Sequence, residues 1–353
     1  MATTFKTLLN SDIANTRTLL HEAIPITGTI VSGTYNDENI KTFSHGMFEA
    51  IYDYPFLSSS ANHIIDITAG YSAASLLSAA ANTQGQKKIN IYNQHAQVLV
   101  GYDAQGNVRE FDQDGNILAG ETKMRECFFI NFSRLLTKDE IKKESFRYTT
   151  YLTGANVTAS HDRTAKFTIG DYGAATSYKA NSPAGEYGLL YTRSVGGLGV
   201  GEIIGHVYYQ AGIAVLTHSV FSGAFGDPER ADNPGNSALT VDNAMTGTTI
   251  TNIANSLRFA MDNVDFNNTT ELNSTIYFCR ANTQDYNYSA NPTYLNASKI
   301  RVKDNNPKAQ PVSYITTVGL YSADNELLAV AKLSEPLKKS PSNELTLRVR
   351  LDY

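Results

Sequence analysis

The side chains best suited to acid–base or metal chemistry are the seven histidines: His21, His45, His63, His95, His161, His206 and His218. None stands in an HExxH or similarly spaced pair, the arrangement that places two imidazoles on one face of a helix. His206 and His218 share one apolar segment, where a turn would let them face each other as a metal or acid–base pair. The alternative is two satisfied strand histidines, which we favour because no Cys or carboxylate clusters around them in the sequence.

Three other patterns have the composition of chemical sites but lack required residues. The glycine run SVGGLGVGE at 194–202 contains neither GxGxxG nor GxxxxGK[ST], and a strand-like segment follows it, which favours a hairpin turn. Ser222 lacks the GxSxG elbow of a nucleophile, and Asp112, Asp114 and Gly115 resemble a calcium loop without its terminal Glu. We therefore predict no catalytic residue, no cofactor-binding residue, no cofactor and no bound metal.

The two cysteines, Cys127 and Cys279, both lie in apolar runs, CFFI and IYFC. Isolated cysteines in such runs behave as small hydrophobic residues, so we predict buried free thiols and no disulfide.

The chain has 353 residues, which is longer than a domain with a single hydrophobic core usually is. We therefore expect two domains, or one domain with large insertions, to position any site. Hydrophobic residues make up 42%, and Thr, Asn, Ser and Tyr are abundant, which favours strands and turns. The expected fold class is mainly β with some α: a mixed α/β N-terminal portion and a C-terminal β-sandwich-like domain.

Residues 1–148 are predicted to form the mixed α/β portion. Apolar spacing indicates short helices over 11–24 and 40–51, and a closely packed helix or a loop over 61–81. Period-two alternation from Ile89 indicates strands, with turns at DAQGNV (103–108) and DQDGNI (112–117). A capping-box pattern predicts a helix over 137–146.

Residues 149–353 are predicted to form the β-rich, sandwich-like domain. The apolar segment 201–221 indicates a buried hairpin, and residues 251–263 have the spacing of a helix. Three closing strands are SYITTVGLY (313–321), ELLAVAKL (326–333) and a terminal strand over 343–352, whose apolar and polar residues alternate. That alternation predicts a half-buried strand tied into a sheet at the chain end.

Charge and hydropathy exclude two classes of partner at this stage. The net charge of −5 and the pI near 5.8 argue against a protein that binds nucleic acid through its phosphates. No stretch approaches the roughly 20 apolar residues of a membrane-spanning helix, and the N-terminus lacks the apolar core of a signal peptide. We expect a protein made in the cytoplasm, with no nucleic-acid or membrane partner.

The segments NYSANPTYLN (287–296) and VSYITTVGLYSADNELLAVAKLSEPLKKSPSNELTLRVRLDY (312–353) resemble the C-terminal part of virion structural proteins of tailed bacteriophages. The pattern is also similar to a β-module of phage tail-fibre and baseplate-associated proteins. The resemblance implies a β-sandwich that docks on copies of itself and on other virion proteins, and it implies no catalytic residue. The expected hairpin has a turn at Asp324-Asn325 and a core of Val318, Leu320, Leu327, Leu328, Val330 and Leu333.

The expected function is therefore a structural component of a tailed-phage virion, in the tail, baseplate or neck, that assembles without turnover. Two alternatives remain: a capsid-associated decoration protein, and a β-rich tail enzyme acting on a cell-surface polysaccharide, which would need a carboxylate pair. Contacts are expected in the loops 226–237 and 282–298 and in an exposed connection around Pro341. The interface candidates are Tyr286, Tyr288, Tyr294, Lys338 and Lys339. The tyrosines would alternatively pack on their own domain.

Overall fold

The computed structural model describes residues 5–26, 37–79, 81–117, 122–151, 166–194, 201–221, 240–288, 295–296, 299–300 and 310–353. Strands make up 48% and helices 18%, so the expected class, mainly β with some α, is confirmed. No helix in these ranges is long and apolar enough to span a membrane.

Within the described ranges the strands follow one another along the chain, and α-helices lie between them at four places. The strands are β1 (Ile13–Ile26), β2 (Ile40–Thr42), β3 (Glu49–Tyr52), β4 (His63–Tyr71), β5 (Phe111–Asp112), β6 (Lys123–Met124), β7 (Glu126–Phe132), β8 (Glu140–Ile141), β9 (Arg147–Tyr151), β10 (Lys166–Gly170), β11 (Lys179–Ser182), β12 (Gly185–Ser194), β13 (Ile203–Tyr208), β14 (Ile213–Thr217), β15 (Met261–Ala281), β16 (Leu295–Asn296), β17 (Lys299–Ile300), β18 (Ser313–Tyr321), β19 (Leu327–Lys339) and β20 (Leu345–Asp352). The α-helices are α1 (Gly85–Leu99), α2 (Arg134–Thr137), α3 (Ala174–Ser177), α4 (Val241–Gly247) and α5 (Ile250–Ala260).

The chain divides into two compact units, here called the central unit (residues 20–270) and the end unit (residues 1–19 and 271–353). The chain passes from one to the other within β1 and within β15. The boundary expected between residues 148 and 149 falls inside β9, which belongs wholly to the central unit. The end unit therefore gathers the two chain ends, which lie far apart in sequence.

The central unit is built on an antiparallel sheet with the strand order β15-β9-β10-β12-β13-β14-β7-β4-β3-β2; β8 pairs with β15 and β11 with β12. Its middle strands are buried on both faces. In β7, Phe128 and Ile130 pack into one apolar cluster, whereas Cys127 and Phe129 pack into the other. Burial on both faces explains why β7 and β14 read as continuous apolar runs instead of alternating ones.

Helices cover the two faces of this sheet. Ile91, Tyr92 and Ala96 of α1 join the cluster that contains Phe129, while Ile253 and Leu257 of α5 join the cluster that contains Phe128. The helix predicted over 251–263 is thus confirmed as α5, and the predicted hairpin 201–221 is confirmed as the antiparallel pair β13–β14.

Several predictions for the N-terminal portion are wrong. Residues predicted as helices over 11–24 and 40–51 form β1, β2 and β3. Of the segment 61–81, predicted as a helix or a loop, residues 63–71 form β4 and residues 72–79 form turns without regular structure. Strand pairing with distant partners has overridden a weak local helical spacing, since β3 pairs with β4 and β4 with β7. The helix predicted over 137–146 is replaced by the two-residue strand β8 after the short α2.

The alternation that predicted strands from Ile89 belongs instead to helix α1. The pattern misleads because Ile89 and Ile91 alternate with asparagine over only a few residues. The residues that α1 buries most deeply follow helical spacing over its whole length: Lys88, Ile91, Tyr92, Ala96 and Leu99. The two predicted turns do lie where expected, with Gly106 and Gly115 at φ of 84° and 71°.

The end unit contains β20, which pairs with β15 from Ser274 opposite Asp352 to Ala281 opposite Leu345. The predicted terminal strand is confirmed, and its apolar residues are the less exposed ones: Leu345, Leu347, Val349 and Leu351. The carboxylate of Asp352 accepts hydrogen bonds from Ser274 at 2.6 Å and from Arg350 at 2.6 Å. The Ser274 hydroxyl is the main reason that the pKa of Asp352 lies below its usual range.

Helix α1 lies so close to β4 that Gly70 leaves no room for a side chain. A Cβ atom there would stand 2.4 Å from the carbonyl oxygen of Lys88 and 2.9 Å from the amide nitrogen of Tyr92. Gly70→Ala should therefore lower the free energy of unfolding by about 1–3 kcal/mol, because the helix backbone must move away from the sheet. Urea denaturation measures this loss.

Gly247, the last residue of α4, is the matched control, since no atom lies within 4 Å of its added Cβ. Gly247→Ala should leave the unfolding midpoint unchanged or slightly raised. Equal midpoints for the two variants would contradict the close packing of α1 on β4.

Candidate functional site

The two histidines of the β13–β14 segment do not face each other. His206 lies in β13 opposite Val215, is buried, and has its pKa lowered to about 4 by that burial. His218 follows β14 in a short 3-10 helix, with its Nε2 atom 2.9 Å from the carboxylate of Asp242. The two side chains therefore have separate partners and form no joint site.

His218 also lies near Glu126, with 3.7 Å between its Nδ1 and Oε2 of the carboxylate. The hydroxyl of Ser75 donates a hydrogen bond to the other oxygen of Glu126. The serine proton is thus held by a carboxylate and not by the imidazole, so this cluster does not have the geometry of an activated nucleophile. Among the described residues, no three His, Cys, Asp or Glu side chains are grouped to hold a metal ion.

The other sequence patterns are occupied by structural contacts. Asp112 pairs with Lys123 at 2.8 Å, and Asp114 accepts a hydrogen bond from Asn116 at 2.6 Å. The strands on either side of the glycine run 194–202 pair in antiparallel fashion, with Tyr191 opposite Ile203, although residues 195–200 and Ser222 lie outside the described residues. Cys127 is buried and free, whereas Cys279 is free but only partly buried in β15.

Asp171 is the most deeply buried carboxylate with an altered pKa. Its two oxygens accept hydrogen bonds from the amides of Glu144 (2.7 Å) and Phe146 (3.0 Å), from Arg147 (3.1 Å) and from the hydroxyl of Tyr209 (2.9 Å). Burial raises its pKa to about 6, although these donors favour the charged form. The carboxylate thus links β9, β10 and the end of β13 by hydrogen bonds, which gives it a structural role within the central unit.

The C-terminal hairpin of the end unit has the features of a contact surface. Strands β18 and β19 pair only with each other among the described strands, and the turn lies at Asp324-Asn325 as predicted, with Asn325 at a φ of 64°. One face is exposed and partly apolar: Thr317, Gly319, Tyr321, Leu327, Val330 and Lys332. Phe5 packs on the ring of Tyr321 with 4.6 Å between the centroids.

The core predicted for this hairpin is only partly correct. Val318, Leu320 and Leu333 are half-buried, but Leu327, Leu328 and Val330 are more than half exposed. A two-stranded sheet has two faces, and residues directly opposite each other share one of them. Leu327 lies opposite Tyr321 and Val330 opposite Gly319, so both fall on the outward face.

Lys339 was expected in an exposed connection, and that expectation is wrong. It is the last residue of β19, is fully buried, and its Nζ donates to the carbonyl oxygens of Thr283 (3.3 Å) and Ser340 (2.9 Å) and to Oδ1 of Asn287 (2.8 Å). These acceptors take up the three ammonium protons, which is what allows a lysine to be buried. The neighbouring Lys338 is exposed, as expected, and lies opposite Tyr314.

Through Lys339 the hairpin fixes the segment 282–288, here called the tyrosine loop because it carries Tyr286 and Tyr288. Ser313 at the start of β18 donates a hydrogen bond to the carbonyl oxygen of Tyr286. In the middle of the loop, Asp285 pairs with Lys6 at 2.5 Å, and that hydrogen bond is the main cause of the lowered pKa of Asp285. The loop is therefore held in place by contacts with the hairpin and with the N-terminal segment.

The tyrosine loop and the hairpin bring four of the five interface candidates into one region of the end unit. Tyr286 and Tyr288 are 47% and 61% exposed, so both keep a large part of their surface open to solvent. Tyr294 and the loop 226–237 lie outside the described residues. Sequence reasoning missed the part played by Lys6, Asp285 and the buried Lys339, since these contacts join residues far apart in the chain.

Comparison with protein-family models, with curated proteins and with solved structures finds no match.

Removal of the Lys339 ammonium group should loosen the tyrosine loop. Lys339→Met leaves the buried oxygens of Asn287 and Ser340 without their donor, which should cost about 1–3 kcal/mol in the free energy of unfolding. Amide hydrogen exchange across 283–288 should become faster. The adjacent, exposed Lys338→Met is the control and should change neither quantity; similar effects from both variants would refute the anchoring role of Lys339.

Asp171 should make stability depend on pH in a defined direction. Because its folded pKa of about 6 lies above the ordinary value of 3.8, the folded state keeps a proton that the unfolded chain has already released. Its stabilising contribution is complete below the ordinary value and is lost as the pH rises through about 6. The unfolding free energy of the wild type minus that of Asp171→Asn should therefore fall between about pH 4 and about pH 7.

Urea denaturation at several pH values tests this slope. Asp103→Asn is the control, because hydrogen bonds from Asn107 lower the pKa of the exposed Asp103 below its ordinary value. Its difference from the wild type should be flat over the same pH range, since any change is confined to lower pH. A flat difference for Asp171→Asn as well would contradict the raised pKa.

Proposed function

We propose that this chain is a structural component of a tailed-phage virion, in the tail, baseplate or neck, and that it works through protein–protein contacts made by its end unit. The observation that carries the proposal is the exposed apolar face of the β18–β19 hairpin beside a fixed loop with two exposed tyrosines.

The end unit leaves several large apolar side chains exposed, whereas the central unit buries its own in two clusters. Both clusters of buried apolar side chains in the described chain consist of central-unit residues. Within the end unit, Tyr314, Tyr321, Leu327, Leu328 and Val330 remain exposed on one hairpin. Burial of each such side chain against a partner contributes on the order of 1–3 kcal/mol. Assembly into a particle would therefore stabilise the contact by burying apolar surface that the free chain leaves exposed.

The tyrosine loop is suited to anchor a partner because it is already ordered. Lys339, Ser313 and Lys6 hold its backbone and its aspartate in place, so little conformational entropy is lost when Tyr286 and Tyr288 are covered. Tyrosine combines a large contact area with a hydroxyl for hydrogen bonding, and the exposed Lys338 would lie at the rim of the same contact.

The virion setting rests on the resemblance of 287–296 and 312–353 to virion structural proteins, and the partners it implies are further copies of this chain and other virion proteins. A capsid decoration protein would use the same surface. A tail enzyme is less well supported, because Asp171 is fully engaged by four donors and Ser75 is engaged by Glu126.

Cryo-EM of purified particles tests the proposal. The chain should be present in several copies in the tail, baseplate or neck, with the tyrosine loop covered by a neighbouring protein. Tyr288→Ser should reduce incorporation into particles, whereas Tyr54→Ser, at a tyrosine of similar exposure in the central unit (58% against 61%), should not. Absence of the chain from particles, or equal incorporation of both variants, would contradict the proposal.

A further inference from the structure

The two outer edges of the β18–β19 hairpin differ in how they are protected. Strand β19 carries Lys332, Glu335, Pro336 and Lys338. Its pairing is also irregular: four of its residues, 333–336, lie opposite the single residue Thr316. Charges, proline and bulges are the features by which natural proteins keep an edge strand from pairing with another chain.

Strand β18 has none of these features. Its nine residues, SYITTVGLY, include no charged residue and no proline, and Ile315, Thr316, Thr317 and Val318 are β-branched. Both irregularities of the hairpin insert their extra residues on β19, so β18 is the regular strand of the pair. Among the described strands β18 has one neighbour, and its other edge presents backbone groups that an added strand would satisfy.

We propose that the open edge of β18 pairs with β18 of a second copy of this chain, in antiparallel fashion about a twofold axis. The inference rests on the proposed assembly function and names its first partner. It is an isologous contact, in which each copy offers the same strand.

Three properties of β18 fit a second copy. The strand is uncharged, so pairing it with itself places no like charges opposite each other. Centred on Thr317, the pairing sets Thr317 opposite its own copy, one of the cross-strand pairs that stabilise antiparallel sheets, with Tyr314 opposite Leu320 and Thr316 opposite Val318. The resulting four-stranded sheet would have a β19 at each outer edge, and the guarded β19 edges would stop growth at two copies.

Sedimentation equilibrium of the full-length chain tests the proposal. The wild type should dimerise reversibly, and Thr317→Lys should raise the dissociation constant on the order of tenfold or more, because two lysines then meet across the axis. The side chain of Thr317 is exposed but lies opposite Lys332 of β19, so circular dichroism and the unfolding midpoint must show that the added lysine leaves the hairpin folded. Ser334→Lys adds the same charge at an exposed position in the β19 bulge and should dimerise like the wild type.

Chemical cross-linking gives a second measurement on the same strand. Thr317→Cys should form a covalent dimer with a short bismaleimide, while Ser334→Cys should show only the background of the wild type, whose Cys127 is buried and Cys279 partly buried. A monomeric wild type, or a dimer that Thr317→Lys and Ser334→Lys weaken equally, would overturn the inference. If the inference is overturned in this way but the chain is found in particles, the assembly function stands. The open edge of β18 then pairs with another strand, from a different virion protein or from this chain.

Discussion

A strand with one neighbour leaves the hydrogen-bonding groups along its other side without a partner strand, and this constraint governs the end unit. In β18 those groups lie along nine residues that carry no charge and no proline. Unpaired backbone groups are satisfied either by water or by another strand, so this edge is open to a strand from a neighbour. The outer edge of β19 in the same hairpin is instead protected from strand pairing by bulges and charged residues.

The position of the tyrosine loop depends on that hairpin. Lys339 at the end of β19 fixes the tyrosine loop, and Ser313 at the start of β18 holds the same loop by the carbonyl of Tyr286. The open edge of β18 and the tyrosine loop therefore lie next to each other in the end unit. The central unit is of a different kind, since its apolar residues are buried in two clusters on the faces of its own sheet.

Much of the fold was predictable where local pattern and tertiary environment agree. Strand β20 alternates because only one of its faces is covered, and α5 keeps helical spacing because one face packs on the sheet. Prediction failed for β1 to β3, because pairing with other strands outweighs the local helical spacing. It also failed for α1, because a short alternation of Ile and Asn concealed the buried residues that repeat at helical spacing. The candidate site was half predictable: composition pointed to Tyr286 and Tyr288, but a buried Lys339 depends on acceptors more than fifty residues away in the chain.

The most direct test of the central claim, that the edge of β18 is an assembly surface, is amide hydrogen exchange measured at low and high concentrations of the purified chain. If the edge pairs with a second copy, exchange along 313–321 slows as the concentration rises, while exchange along 345–352, already paired with β15, stays constant. Exchange along 313–321 that is the same at every concentration would contradict the account.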